Sequence, residues 1–159
     1  MHKFVIAVSG SVGTGKTTLA KLISRQAKAE YVDVNNLLKK NKIYSKYNKK
    51  FDTYEVDVNK SNKFLLKIIK ESKKSIVIDS HLSHYLPSSK VDYCFVTKCN
   101  LKTLKKRLEK RHYNKLKIRE NMDAEIFDVC LFEAAKNNHN IIVVDTSKGL
   151  KGFKFSKYK

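Results

Sequence analysis

The stretch Gly10-Ser11-Val12-Gly13-Thr14-Gly15-Lys16-Thr17-Thr18 has the residue types and spacing that hold a nucleotide's phosphates. Gly10, Gly15, Lys16 and Thr17 satisfy G-x-x-x-x-G-K-[ST], between the apolar run Phe4-Val5-Ile6-Ala7-Val8 and the amphipathic run Leu19-Ala20-Lys21-Leu22-Ile23. Glycines let such a loop turn tightly and aim several N–H groups inward, where the positive end of the following helix adds to their pull on phosphate. In that chemistry Gly13 and Gly15 shape the cradle and Lys16 reaches the β and γ phosphates. The Thr17 hydroxyl holds Mg2+, and Thr18 supports it at the α phosphate.

A second cluster, Asp79-Ser80-His81-Leu82-Ser83-His84, closes the apolar run Ser75-Ile76-Val77-Ile78. An apolar strand ending in Asp beside a phosphate loop is where the acid that orients Mg2+ or its water belongs. Asp79 is therefore expected to share the metal with Thr17, and His81 to contact phosphate or place water. The same D-x-H-x-x-H spacing offers three ligands to a transition metal, and plain loop roles suit His81 and, more readily, His84. His2, His112 and His139 read as surface residues.

Arginine is used sparingly: the chain has 30 Lys but four Arg, and Arg107, Arg111 and Arg119 fall within 13 residues. A planar guanidinium binds phosphate oxygens bidentately and stabilises charge on a transferring phosphoryl group. Arg111, where a helix is expected to end, is the first candidate. Arg107 shares its helix face, and an ordinary helix-surface role is the other reading of all three.

These groups need elements that end at them. Residues 3–8 read as a buried strand, 16–28 as a helix, 31–34 as a short strand, and Asn35-Asn36 as the cap of a brief helix through Leu37-Leu38. Residues 39–50 hold no acid, little periodicity and two tyrosines, which predicts an exposed segment able to grip a second anionic substrate or stack on RNA bases. Phe64, Leu65, Ile68 and Ile69 recur at helical spacing within 58–72, and strands follow at 75–79 and 92–97. A helix is predicted over 101–111, then a long one over about 114–136 with Ile118, Met122, Ile126 and Val129 on one face, then a strand over 141–145. Strands alternating with helices predict one α/β domain built on a doubly wound parallel sheet. Lys148 to Lys159 carries five Lys with Phe153, Phe155 and Tyr158 and no acid, so it reads as a disordered arm or a basic aromatic contact.

With 159 residues, 42% hydrophobic and 31% charged, the composition is that of one globular domain rather than a disordered chain. No apolar run reaches the roughly 20 residues of a membrane span, and the N-terminus enters a core strand instead of a signal sequence, so a cytoplasmic protein is expected. Cys94, Cys99 and Cys130 form no C-x-x-C pair, which argues against a disulfide framework or zinc ribbon and for buried thiols at Cys94 and Cys130. The net charge of +19 divides as +10 over residues 1–80 and +9 over 81–159, so the whole surface is basic. Affinity for polyanions, RNA above all, is one consequence; a lysine-biased composition is the alternative cause.

Taken together, these motifs resemble the adenylate kinase isoenzyme 6 family, in particular its archaeal-type members, over roughly residues 4–146. Beyond the generic phosphate loop, the resemblance is carried by Val77-Ile78-Asp79-Ser80-His81-Leu82-Ser83-His84 with Leu86-Pro87, by Val91-Asp92-Tyr93 and by Arg107-Leu108-Glu109-Lys110-Arg111. Ile118-Arg119-Glu120-Asn121-Met122-Asp123-Ala124-Glu125 carries it further, and Tyr44, Tyr47 and Asp52 to Asp57 resemble the family's monophosphate-binding insertion. The resemblance implies a three-layer P-loop nucleoside monophosphate kinase fold, with a five-stranded parallel sheet and helices on both faces. It implies a monophosphate-binding segment at about 33–56 and a lid at about 110–120; the basic tail at about 146–159 lies beyond the stretch it covers. It also implies ATP bound by Gly13, Gly15, Lys16, Thr17, Thr18 and Arg111, and a Walker B-like motif at Asp79 and His81 that catalysis needs. The implied activity moves a phosphoryl group from MgATP to AMP, with ATPase activity beside it; ADP is the product. The implied partners are a platform protein of the small ribosomal subunit and nearby rRNA. Two departures stand out: Val12 where the family has Pro, and His112 where it has Gly after the lid arginine. Two other functions fit the same motifs, an ATP-gated assembly factor and an RNA-end or small-metabolite kinase.

Overall fold

The computed structural model describes residues 3–158. In chain order the elements are β1 (Val5–Gly10), α1 (Lys16–Ala27), β2 (Glu30–Asp33), α2 (Val34–Lys40), β3 (Lys46–Asn48), β4 (Thr53–Glu55), α3 (Val58–Glu71) and β5 (Ile76–Asp79). They continue with β6 (Tyr93–Lys98), α4 (Leu101–Lys110), α5 (Lys115–Ile126), α6 (Val129–Lys136) and β7 (Ile141–Asp145). Five strands form one parallel sheet in the order β2-β5-β1-β6-β7. β1 lies at its centre and is buried at every position, which is why its sequence is apolar almost throughout. Val8 pairs with Asp79 and Gly10 with Thr97, so the ends of β1, β5 and β6 meet where the phosphate loop begins.

Alternate residues of each strand feed two cores. On one face Ala7, Ile76, Ile78 and Val96 pack with Leu38 of α2, Leu65 and Ile69 of α3, and Cys130 and Ala134 of α6. On the other, Ile6, Val8, Val77 and Phe95 pack against Leu19, Ala20 and Ile23 of α1. The three-layer parallel α/β fold expected from the sequence is the fold found.

Several local expectations need correction. Asp33, not Asn35 or Asn36, caps α2, its carboxylate accepting the Asn36 N–H at 3.1 Å. Residues 39–50 are exposed as expected but not irregular: β3 and β4 pair antiparallel, Tyr47 opposite Tyr54, around a turn in which Asp52 adopts φ 47°. The single helix expected over 114–136 is two helices, α5 and α6. Asp128 takes φ 52° between them, and Lys98 holds the break by bonding the carboxylates of Glu125 and Asp128. The kink turns Cys130 and Ala134 onto the sheet, leaves Ile118 and Met122 on α4, and exposes Ile126 and Val129, so the proposed stripe does not exist as one face.

The C-terminal segment is no disordered arm. Phe155 is 1% exposed against Phe95 and Tyr93, Phe153 and Tyr158 flank it, and Gln26 of α1 ties it down by accepting the Phe155 N–H at 2.7 Å. His139 is buried rather than at the surface, its Nε2 bonded to the His84 carbonyl at 2.8 Å. His112 is exposed and takes φ 56°, the left-handed conformation that glycine adopts without strain. His2 lies outside the described residues. Cys94 and Cys130 are buried thiols, and burial pushes Cys94 up to about 12. No described helix is long and apolar enough to cross a membrane.

Candidate active site

The phosphate loop is built by consuming its carbonyls. The Thr14 hydroxyl donates to Ser11 O at 2.7 Å and shares a 2.6 Å bond with the Thr97 hydroxyl, while the Thr146 hydroxyl donates to Thr14 O at 2.5 Å. Arg107 bonds Gly13 O at 3.3 Å, and Thr146 at its hydroxyl and its carbonyl at 3.1 and 2.8 Å. With these carbonyls held inside the protein, the loop keeps its N–H edge for the opposite side. Gly10 is required by space: at φ 138° a Cβ there would lie 2.3 Å from the Thr97 hydroxyl and 2.7 Å from its carbonyl. Arg107, read from sequence as a candidate phosphate ligand or an ordinary surface residue, is instead a brace beneath the loop.

Lys16 opens α1 and donates to Ser11 O at 2.9 Å, folding back over the loop. Burial lowers its pKa to about 8, against the nearby Cys130 and Asp79, which raise it. The Thr17 hydroxyl donates to Asp79 Oδ2 at 2.7 Å, and the Tyr31 hydroxyl donates to the same oxygen at 2.8 Å. Burial, then the bond to Asp79, drives the Tyr31 phenol well above its ordinary pKa, so it remains a donor. Thr17 and Asp79 are hard oxygen donors in contact with one another, a donor set that suits Mg2+.

Burial and the adjacent Lys16 push His81 down to about 4, so near neutrality it is an uncharged imidazole at the rim. His84 points elsewhere. It is 1% exposed, with Nδ1 2.6 Å from the Ser9 hydroxyl and Nε2 2.9 Å from Glu133 Oε2. A carboxylate can only accept, so Nε2 carries the proton and Nδ1 accepts from Ser9. The transition-metal reading fails: among the described residues, no three His, Cys, Asp or Glu side chains come together as a metal site.

Gly13, Gly15, Lys16, Thr17, Thr18, Asp79, His81 and Arg111 all line one hollow of about 610 Å³. Arg111 enters from the C-terminal end of α4, its guanidinium 3.5 Å from the Tyr113 hydroxyl. Arg119 is not among the lining residues and lies against Asp123 on the surface of α5. The far wall is the β3–β4 hairpin. There the Tyr44 and Tyr54 rings stack at 4.6 Å, Tyr47 packs on Tyr54 at 5.0 Å, and the Tyr44 hydroxyl is buried without a hydrogen-bond partner. Lys117 of α5 crosses the mouth, donating to Asp52 O at 2.7 Å while covering the Tyr113 ring at 4.3 Å.

Tyr31, Thr146 and Lys117 were missed from sequence as site residues. Tyr31 had a usable signal: parallel pairing places it beside Val77, so it shares the face on which Asp79 stands two residues later. Nothing local marks Thr146 or Lys117, because their partners lie 132 and 65 residues away.

The sheet order, the loop after the central strand and the two-walled hollow define a P-loop kinase of the nucleoside monophosphate kinase type of fold. The structure is similar to that of shikimate kinase from Bacteroides thetaiotaomicron, with a TM-score of 0.60 at 14% identity over 89% of this chain and 85% of that one. The family profile described as "AAA domain" matches residues 6–128. The sequence is 40% identical over 129 residues to the "Putative adenylate kinase" of Methanocaldococcus jannaschii, covering 81% of this chain and 71% of that protein. It is 36% identical over 145 residues to the protein of the same name from Thermococcus onnurineus, covering 90% and 75%. The chain belongs to the AAA domain family and to the family of these archaeal proteins.

Proposed function

We propose that this protein is an adenylate kinase that transfers the γ-phosphoryl group of MgATP to AMP. The observation that carries the reading is the single hollow of about 610 Å³ with a phosphate loop on one wall and a tyrosine-lined hairpin on the other. The names of its archaeal relatives support the choice of adenylate. Gly13, Gly15, Lys16, Thr17 and Thr18 hold the donor phosphates, and Arg111 reaches them from the lid at about 110–120. AMP lies against the segment at about 33–56, whose α2 is capped by Asp33. Thr17 and Asp79 would hold Mg2+, which when bound neutralises charge shared by the β and γ phosphates. An AMP phosphate oxygen forms the new bond to the γ phosphorus as the bond to the β-bridging oxygen breaks, leaving two ADP. Lys16 and Arg111 stabilise charge on the moving group, and closing the lid excludes water.

When no AMP is bound, water takes its place and the same site is a slow ATPase, with the uncharged His81 placing the water. We further propose a cytoplasmic role in small ribosomal subunit maturation, with a platform protein and rRNA as partners. The +19 charge supports affinity for RNA.

The test is a coupled assay of the purified protein with MgATP, run with AMP, with other monophosphates and with none. Strong, selective stimulation by AMP is expected. Lys16→Ala should lower both activities about a thousandfold, by removing the ammonium that stabilises negative charge on the transferring phosphoryl group. Turnover indifferent to AMP would replace the kinase with an ATP-gated assembly factor.

A further inference from the structure

We infer that Tyr31 is a positioning residue that orients the Asp79 carboxylate toward magnesium-bound nucleotide; the inference rests on the phosphoryl-transfer reading above. Asp79 ends β5 and is buried beneath the first turn of α1. Two hydroxyls donate to one and the same oxygen, Oδ2: Thr17 at 2.7 Å from α1 and Tyr31 at 2.8 Å from β2. Two donors on Oδ2 fix the carboxylate plane and so fix the direction of Oδ1.

Thr17 alone is a poor anchor. Its hydroxyl oxygen is the atom expected to meet the cation, so its one proton must serve as the link to Asp79 while its lone pair turns outward. Tyr31 has no such second duty. Its ring packs on the core beneath α1, with Lys21 Nζ 5.6 Å from the ring centroid, so the phenol is held at the angle that delivers the hydroxyl. The strand register makes the reach possible: Tyr31 stands beside Val77, and a tyrosine side chain leaning along the strand spans the two residues to Asp79.

Removing only the hydroxyl, in Tyr31→Phe of the full chain, separates orientation from packing. The measurement is the affinity of a fluorescent ATP analogue without magnesium, then the Mg2+ concentration that half-saturates its tighter binding. Affinity without magnesium should match the parent protein, because the loop amides are untouched, and the melting midpoint should fall only by the few degrees that one buried hydrogen bond is worth. The half-saturating Mg2+ concentration should rise about tenfold, as when an outer hydrogen-bond partner of a metal ligand is lost. Turnover should recover in large part when Mg2+ is raised to saturation. Asp79→Asn is the reference and should move the same parameter further.

An unchanged half-saturation in Tyr31→Phe would overturn the inference while leaving the nucleotide reading standing. Equal losses with and without magnesium would also overturn it, because they would make Tyr31 merely structural. A parent protein that binds no nucleotide would remove the wider reading, and the inference with it.

Discussion

The two walls of the hollow are built in opposite ways. The phosphate loop is fixed by long-range bonds from β6, α4 and the segment after β7, and it stands on strands buried at nearly every position. The hairpin wall has two three-residue strands, with Tyr47 and Tyr54 both exposed. Lys117 of α5 ties it across the mouth at Asp52 O. The rigid wall suits a triphosphate whose charge must meet prearranged donors, and the loosely held wall suits an acceptor that must enter and leave.

The sharpest way to break this contrast is to truncate one aromatic on each side. Phe155→Ala, in the core beneath α1, should destabilise the protein by about 3–5 kcal/mol, since it deletes a fully buried ring. Tyr54→Ala in the hairpin should cost about 1 kcal/mol or less, the worth of a half-exposed stacked pair. Urea denaturation measures both, and comparable losses would mean that the hairpin belongs to the cooperative core.

The same contrast governs how much could be read from sequence. The P-loop, the buried strands and Asp79 were legible because their signals are local: a fixed spacing, an apolar run, an acid at its end. The break at Asp128 was not, because no glycine or proline marks it; what sustains it is Lys98, which stands 30 residues earlier and bonds Asp128. From sequence the C-terminal segment reads as a disordered arm or a basic aromatic contact, because its lysines alternate with aromatics. Packing on Phe95 rules out the disordered arm, the rings turning inward while Lys151, Lys154 and Lys157 stay in water. Arg107 and Arg111 share one helix and one residue type, so only tertiary position separates the brace from the group that lines the hollow.

A smaller perturbation acts on the loose wall alone. Lys117→Ala removes the contact across the mouth without touching the loop. It should raise the KM for AMP about three- to tenfold, the equivalent of one hydrogen bond of about 1 kcal/mol. Affinity for the donor nucleotide should not change. A matching loss of ATP affinity would show that α5 and the hairpin position the donor as well, and the two walls would then act as one.

The finest distinction concerns pH. His84 sits under the rigid wall between Ser9 of β1 and Glu133 of α6, with Tyr85 against its ring and His139 and Asn137 at its carbonyl. Burial lowers its pKa below the ordinary value of 6.5, outweighing the bond to Glu133, which raises it. The sign follows: below pH 6.5 the unfolded chain takes up a proton that the folded one resists, so stability is full above that pH and declines as pH falls toward the folded pKa. Lowering pH from about 7.5 to about 5.5 should therefore reduce hydrogen-exchange protection of the most protected amides in β1 and β5, after correction for the intrinsic exchange rate. The hairpin amides, which open locally without exposing His84, should show no matching change. His84→Asn should remove this part of the pH dependence. If it persists in that variant, another buried group carries the linkage; if the hairpin follows β1 step for step, the two walls unfold together and the division between them is one of function rather than stability.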